Sequence, residues 1–314
     1  MNCIDFVTIN NKTYDCYHNN IISIIHYYYL QDYNPIFWTG FDFEYQNNKT
    51  KMKYDDLYIQ GCNKLTNSIL NDFCGINICK QYNYKYDEYK EIIYNNIISH
   101  EPTGICIDSY YLPWNKYYKK VKRLHYILVC AMENSQNIVC YDGYLCKEYQ
   151  TIPLEYIYTN MKYFLLYEKI SKKEYKLSEC LQYFKNVILK NNPNKTNELL
   201  SISYDLCNSN IDNYNEYDNN DIEMSSFLFQ ISSLYWNRCN FSDSLSYFKR
   251  MYDFDLQAML YKTKQNCEDW HKVKMLITKA IFLKNSNFMK RAGDLIERIA
   301  YDETIITEYI KKQL

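Results

Sequence analysis

Apolar residues fall into two regimes along this chain. Up to about residue 170 short helical periodicities alternate with β-rich runs, and beyond it the helical period prevails. Ile21, Ile22, Ile24, Ile25, Tyr28 and Tyr29 recur at helical spacing behind Thr13-Tyr14-Asp15-Cys16. Asp15 is a good N-cap, so a helix is predicted to begin at or beside Cys16, with its apolar stripe on a core. Lys85 to His100 predicts a second helix with Tyr89, Ile92, Ile93 and Ile97 on one side, and Glu101-Pro102-Thr103-Gly104 predicts a turn. Ile105-Cys106-Ile107-Asp108 reads as a short buried strand. Tyr126 to Met132 and Asn137 to Tyr141 are β-rich runs flanking the polar Glu133-Asn134-Ser135-Gln136, which together predict a hairpin. Tyr163 to Tyr167 reads as the last strand of this part.

From about Ser171 the pattern is helical. Leu177, Cys180, Leu181, Phe184, Val187 and Ile188 share one face, and Asn191-Asn192-Pro193-Asn194 breaks the run. Met224 to Tyr235, Ser242 to Leu260, Trp270 to Leu283 and Phe288 to Ala300 repeat the behaviour. The expectation is an α+β domain over residues 1–170, an N-terminal helix plus an antiparallel sheet, followed by an all-helical domain over 171–314.

Of the residues these elements place, three carry reactive side chains in the order Cys, His, Asp. Cys16 stands where the unpaired N–H groups and dipole of a helix N-terminus favour thiolate over thiol. His125 enters the predicted hairpin and Asp142 leaves it. With Asn134-Ser135 as a two-residue turn, Glu133 pairs with Gln136 and Ile127 with Asp142. His125 then shares the face of Ile127 and Asp142, because side chains alternate along a strand. A turn one residue longer would place the two on opposite faces. In this arrangement Cys16 is the nucleophile, His125 the acid–base group and Asp142 the residue that fixes the imidazole tautomer.

Composition narrows the function classes. The 314-residue chain carries a net charge of −1, which gives no basic field for nucleic acid or anionic membrane. Thirty-seven tyrosines, with abundant Asn, Ile and Lys, reflect compositional drift, so single tyrosines are not read as ligands. The 13 cysteines form no Cys-x-x-Cys pair, and His18, His26, His100 and His271 are isolated, so neither a metal nor a disulfide framework is expected. No secretory pattern opens the sequence and no run of eighteen apolar residues occurs, which points to a cytoplasmic protein with reduced thiols and no membrane partner. Charge is segregated in the second half: Thr196 to Asn237 holds acids without Lys or Arg, whereas His271 to Ala292 holds Lys272, Lys274, Lys279, Lys284, Lys290 and Arg291 without an acid. The basic stripe reads as a solvated face or as a dock for an acidic partner.

Tyr14-Asp15-Cys16, Phe37-Trp38-Thr39-Gly40-Phe41-Asp42-Phe43-Glu44-Tyr45, Ile107-Asp108-Ser109-Tyr110-Tyr111-Leu112-Pro113-Trp114, His125 and Asp142-Gly143 together resemble the N-terminal domain of the BtrH-like acyltransferases of butirosin-type assembly. That family is papain-like, with relatives among the bacteriocin-leader peptidases, and the resemblance covers about Met1 to Tyr167. It implies transfer of an acyl group from a carrier-protein thioester, through a Cys16 thioester, to a small amine. The phosphopantetheine belongs to the acyl or peptidyl carrier protein, and the enzyme needs no cofactor of its own. Similarity to amide-forming members that assemble thioamide natural products implies a thioamidated β-alanyl donor and diaminopropane as acceptor. A departure from the pattern stands at Asn10, six residues before Cys16, where papain-like enzymes place an oxyanion-hole Gln; an Asn amide donates the same bond on a shorter arm. A hydrolase using the same three residues, and a silent binding module, remain the other two expectations.

Overall fold

The computed structural model describes residues 3–9, 11, 13–30, 33–47, 57–61, 66–146, 148–171, 173–190, 195–208, 225–252 and 255–313. Helix α1 (Cys16–Tyr27) is followed by strands β1 (Phe43–Asn47) and β2 (Leu57–Gly61), the short helix α2 (Thr66–Ile69) and strand β3 (Ile76–Gln81). Helix α3 (Tyr86–Ile98), strands β4 (Thr103–Asp108), β5 (Leu124–Met132), β6 (Asn137–Tyr141) and β7 (Tyr149–Pro153), helix α4 (Leu154–Asn160) and strand β8 (Met161–Lys169) come next. The described residues beyond them form helices α5 (Leu177–Lys190), α6 (Lys195–Asn208), α7 (Ser226–Tyr252), α8 (Gln257–Leu283) and α9 (Ser286–Gln313). No described helix is long and apolar enough to cross a membrane.

The architecture is α+β, in two compact units: Met1–Pro35 with Asn67–Lys173, and Ile36–Thr66 with Glu174–Leu314. A single cut near residue 170 therefore does not describe the division, because 36–66 groups with the helices. The reason is where its aromatic residues find partners. Phe41 packs edge-on to Phe241 at 4.5 Å, and Trp38 packs edge-on to Phe184 and Phe248. Gly40 lies so close to α7 that a Cβ there would come within 2.5 Å of the Asn237 carbonyl oxygen.

In the first unit the sheet runs β3-β8-β4-β5-β6-β7, antiparallel throughout. Tyr89, Ile93 and Ile97 of α3 join Ile105, Ile107, Ile127, Val129 and Phe164 in one core. The predicted stripe of α1 is buried through Ile21, Ile22, Ile24 and Ile25, each burial contributing roughly 1.5–3 kcal/mol. Helix α1 packs against β5.

The hairpin differs from expectation in its turn. Glu133 donates its N–H to the Asn137 carbonyl at 3.0 Å, which leaves Asn134, Ser135 and Gln136 as the loop. The Asn134 carboxamide oxygen accepts the N–H groups of Gln136 and Asn137, the Asx chemistry that favours this longer turn. By itself that extra residue would turn Asp142 away from the His125 face. Farther along, the register shifts between Val129 and Ala131: Met132 and Ala131 oppose Ile138 and Val139, but Val129 and Leu128 oppose Cys140 and Tyr141. The bulge at Cys130 thus cancels the longer loop, and continuing the ladder puts Ile127 opposite Asp142.

In the second unit, two stretches predicted as Met224 to Tyr235 and Ser242 to Leu260 are instead α7, unbroken to Tyr252, and α8 from Gln257. The apolar period lapses because Arg238 and Asn240 point inward. Arg238, fully buried, donates from Nε and Nη2 to the two carboxylate oxygens of Glu303 at 2.9 Å each and from Nη1 to the Gly40 carbonyl at 3.1 Å. The rings of Phe41, Phe43 and Trp270 lie within 5.3–5.7 Å of its guanidinium carbon. Helix α9 likewise runs past the predicted Ala300 to Gln313, with Glu303 and Thr307 turned inward.

Candidate active site

Cys16 is the first residue of α1, and Asp15 caps the helix in an extended conformation, its carboxylate accepting the His18 N–H at 2.8 Å. The His18 ring, expected to stand alone, places Nδ1 2.9 Å from the same oxygen. Burial pushes the Asp15 carboxyl up, but the His18 charge and the hydrogen bonds from His18 and the Tyr17 N–H outweigh it and hold the pKa below the usual value. Asn19 adds a second brace: its buried amide donates to the carbonyls of Tyr14 and Asp15 at 3.2 and 3.0 Å. The two carbonyls just ahead of the thiol are thereby fixed. The Cys16 N–H, at the helix start, has no acceptor within the helix.

The hairpin delivers the other two groups. His125 is 3% exposed and Asp142 0% exposed, and His125 Nε2 lies 2.8 Å from Asp142 Oδ2. The same oxygen accepts Trp114 Nε1–H at 2.8 Å, while Oδ1 accepts the N–H groups of Tyr144 at 3.1 Å and Leu145 at 2.9 Å. Four partners occupy a carboxylate with about four lone-pair sites, which describes an ionised acceptor. Burial works against that charge; the His125 charge and hydrogen bond, with those of Leu145 and Trp114, overcome it and lower the Asp142 pKa.

His125 also meets Cys16. Burial alone would push the imidazole down, but the charges of Asp142 and Cys16, and hydrogen bonds to both, raise it to about 10. Because Nε2 is taken by Asp142, Nδ1 is the ring nitrogen left for the sulfur. Cys16 is half-buried, whereas His125 and Asp142 are both buried. An imidazole held this far above its ordinary value of about 6.5 is a cation through the neutral range.

Tyr144 completes the surroundings. Its ring centroid lies 6.0 Å from that of His125, its N–H is held by Asp142, and its hydroxyl makes no hydrogen bond among the described residues. Burial, then the Cys16 charge, pushes this phenol up to about 12.

The structure therefore brings Cys16, His125 and Asp142 together; Asn10 lies outside the described residues. Trp114, Asn19, His18 and Tyr144 were not singled out from sequence. Trp114 closes the Leu112-Pro113-Trp114 run and Tyr144 follows Asp142 by two, but neither spacing reports that a loop will bring an indole to a carboxylate. Among the described residues no group of three or more His, Cys, Asp or Glu could hold a metal ion. Compared with known proteins, the chain matches no family model and no curated relative.

Proposed function

We propose that this chain is a cysteine-dependent acyltransferase of papain-like type. Cys16 takes an acyl group from a carrier-protein thioester and passes it to a small amine, leaving an amide. The observation that carries the reading is the line from Cys16 through the His125 imidazole to a fully hydrogen-bonded Asp142. Acyl transfer needs a nucleophile on a rigid element, a ring that moves a proton in both directions and a fixed charge behind that ring.

The reaction follows from those positions. The Cys16 sulfur attacks the thioester carbonyl, and charge moves to the carbonyl oxygen beside the unpaired N–H at the start of α1. Collapse breaks the bond to the carrier's phosphopantetheine sulfur, which leaves with the proton held on His125. Neutral His125 then takes a proton from the incoming amine as its nitrogen attacks the Cys16 thioester, and the thiolate–imidazolium pair is restored. Asp142 stabilises the imidazolium and keeps Nε2 protonated toward itself, so that Nδ1 alone exchanges protons. A thioamidated β-alanyl chain as donor and diaminopropane as acceptor follow from the resemblance of the motifs.

Incubating the full chain with an acyl-loaded carrier protein and diaminopropane, with intact-mass and product analysis, tests this. The expected result is a mass gain at Cys16 that disappears as an amide forms, with none in Cys16→Ala. Free acid as the product whether or not amine is present would replace the reading with a hydrolase. A thiol inert to iodoacetamide near neutral pH would replace it with a binding module.

A further inference from the structure

The 13 cysteines show no pairing in their sequence spacing, but helix packing brings two of them together. Helices α7 and α8 pack against each other, and three contacts fix their register. The Tyr235 and His271 rings lie 5.4 Å apart, the Arg238 guanidinium carbon stands 5.7 Å from the Trp270 ring, and Lys249 Nζ donates to Gln257 Oε1 at 2.8 Å. Positions that rise along α7 meet positions that fall along α8, so the two helices are antiparallel. Cys239 follows Tyr235 by four residues, and Cys267 precedes His271 by four. One helical turn beyond an observed contact, on the same face of each helix, the two sulfurs therefore oppose one another.

Both thiols are free, and their surroundings differ. Cys239 is half-buried, with the exposed His271 nearby, whereas Cys267 is buried. The Cys239 sulfur accepts the Cys267 thiol and the Tyr235 hydroxyl. The bond from Cys267, helped by that from Tyr235, outweighs burial and the Asp243 charge and holds the Cys239 pKa below its ordinary value. Cys267 is pushed up, first because it donates its proton in that bond and then by burial. One sulfur is thus accessible with thiolate character, and the other is a sheltered thiol that keeps its proton. An accessible attacking thiol beside a second, resolving one is the arrangement that thiol–disulfide exchange requires.

The geometry points to Cys239 and Cys267 as a redox-sensitive dithiol, which a small disulfide such as glutathione disulfide converts into a covalent link between α7 and α8. Cys239, its proton released to water, attacks one sulfur of the oxidant, and the other sulfur leaves as a thiolate that takes the Cys267 proton. The Cys267 sulfur then attacks Cys239 in the mixed disulfide and expels the second thiolate, which is protonated by water. The pair loses two electrons and two protons, and the oxidant becomes two thiols. The link forms one residue from Arg238, so oxidation fixes α7 to α8 where Arg238 holds Glu303 and the Gly40 carbonyl.

Exposure of the folded full-length chain to glutathione disulfide, followed by peptide mapping without reduction, tests this. The expected product joins the Cys239 and Cys267 peptides with loss of two hydrogens and reverts to free thiols in dithiothreitol. Two single variants assign the roles. Cys267→Ser is expected to stop at the mixed disulfide, with glutathione retained on Cys239. In Cys239→Ser, glutathione is expected to reach Cys267 at least ~10-fold more slowly than it reaches Cys239 in Cys267→Ser. Both thiols still free when the exposed Cys3 carries glutathione, or either one bonded to a different cysteine, would overturn the assignment. Equal reactivity of the two thiols in the single variants would overturn the division into attacking and resolving sulfurs.

Discussion

At the scale of single residues, the chemistry concentrates on one carboxylate. Asp142 has no exposed surface and four donors, so Asp142→Asn both removes the charge and sets an amide N–H₂ against donors. Acylation of Cys16 in that variant is expected to fall about 10²–10⁴-fold, measured with an activated ester. Trp114→Phe removes one donor while keeping a ring. It is expected to destabilise the first unit by roughly 1.5–3 kcal/mol, read as a shift in the urea midpoint, and to affect acylation less than Asp142→Asn does.

Linkage gives these groups a pH signature. His125 has its folded pKa raised to about 10, so its pairing stabilises fully below the unfolded value of about 6.5 and is lost as pH rises toward 10. Asp142 has its folded pKa lowered, so its contribution is present above the unfolded value of about 3.9 and is lost as pH falls through the folded value. Stability from the pair should therefore be greatest between about pH 4 and 6.5 and decline toward 10. Urea midpoints across that range should show the decline in the parent and a flatter curve in Asp142→Asn; parallel curves would contradict the pairing.

At the scale of elements, two devices hold parts of the chain in register. In the hairpin, an Asx-stabilised three-residue loop and the Cys130 bulge offset one another, and the outcome is a His and an Asp on one face. In the helical unit, Arg238 and Glu303 tie α7 to α9 while Arg238 holds the Gly40 carbonyl. Breaking such a pair from one side leaves a buried charge without compensation. Glu303→Ala is expected to destabilise this unit by about 3–5 kcal/mol, whereas a double replacement by apolar residues of similar volume should recover much of the loss. Chemical denaturation of the single and double variants checks both halves of the statement.

At the scale of the whole molecule, the interleaving of the two units decides which pieces can stand alone. Ile36, Phe37, Trp38, Phe41, Phe43 and Ile59 are each buried, and all belong to the unit that includes the C-terminal helices. A fragment of residues 1–173 would keep the reactive residues but uncover that apolar set. It is expected to bind a hydrophobic dye and aggregate where the full chain does not. A soluble, dye-free fragment with cooperative unfolding would contradict the division.

The amino-acid sequence alone determined what local chemistry controls. Asp15 caps a helix that begins at or beside Cys16, the isoleucines behind it form one apolar stripe, and the β-rich runs on either side of Asn134-Ser135 favour a hairpin. Those signals act over a few residues, and the apolar period that carries them disappears wherever a polar side chain is buried, as at Arg238 and Glu303. Tertiary structure decided the rest. The Cys130 bulge, the return of Trp114 and Tyr144 to the His125–Asp142 pair, and the attachment of 36–66 to distant helices all depend on contacts between residues far apart in sequence. Such contacts are selected by packing and hydrogen-bond satisfaction in the assembled core, which no local pattern encodes.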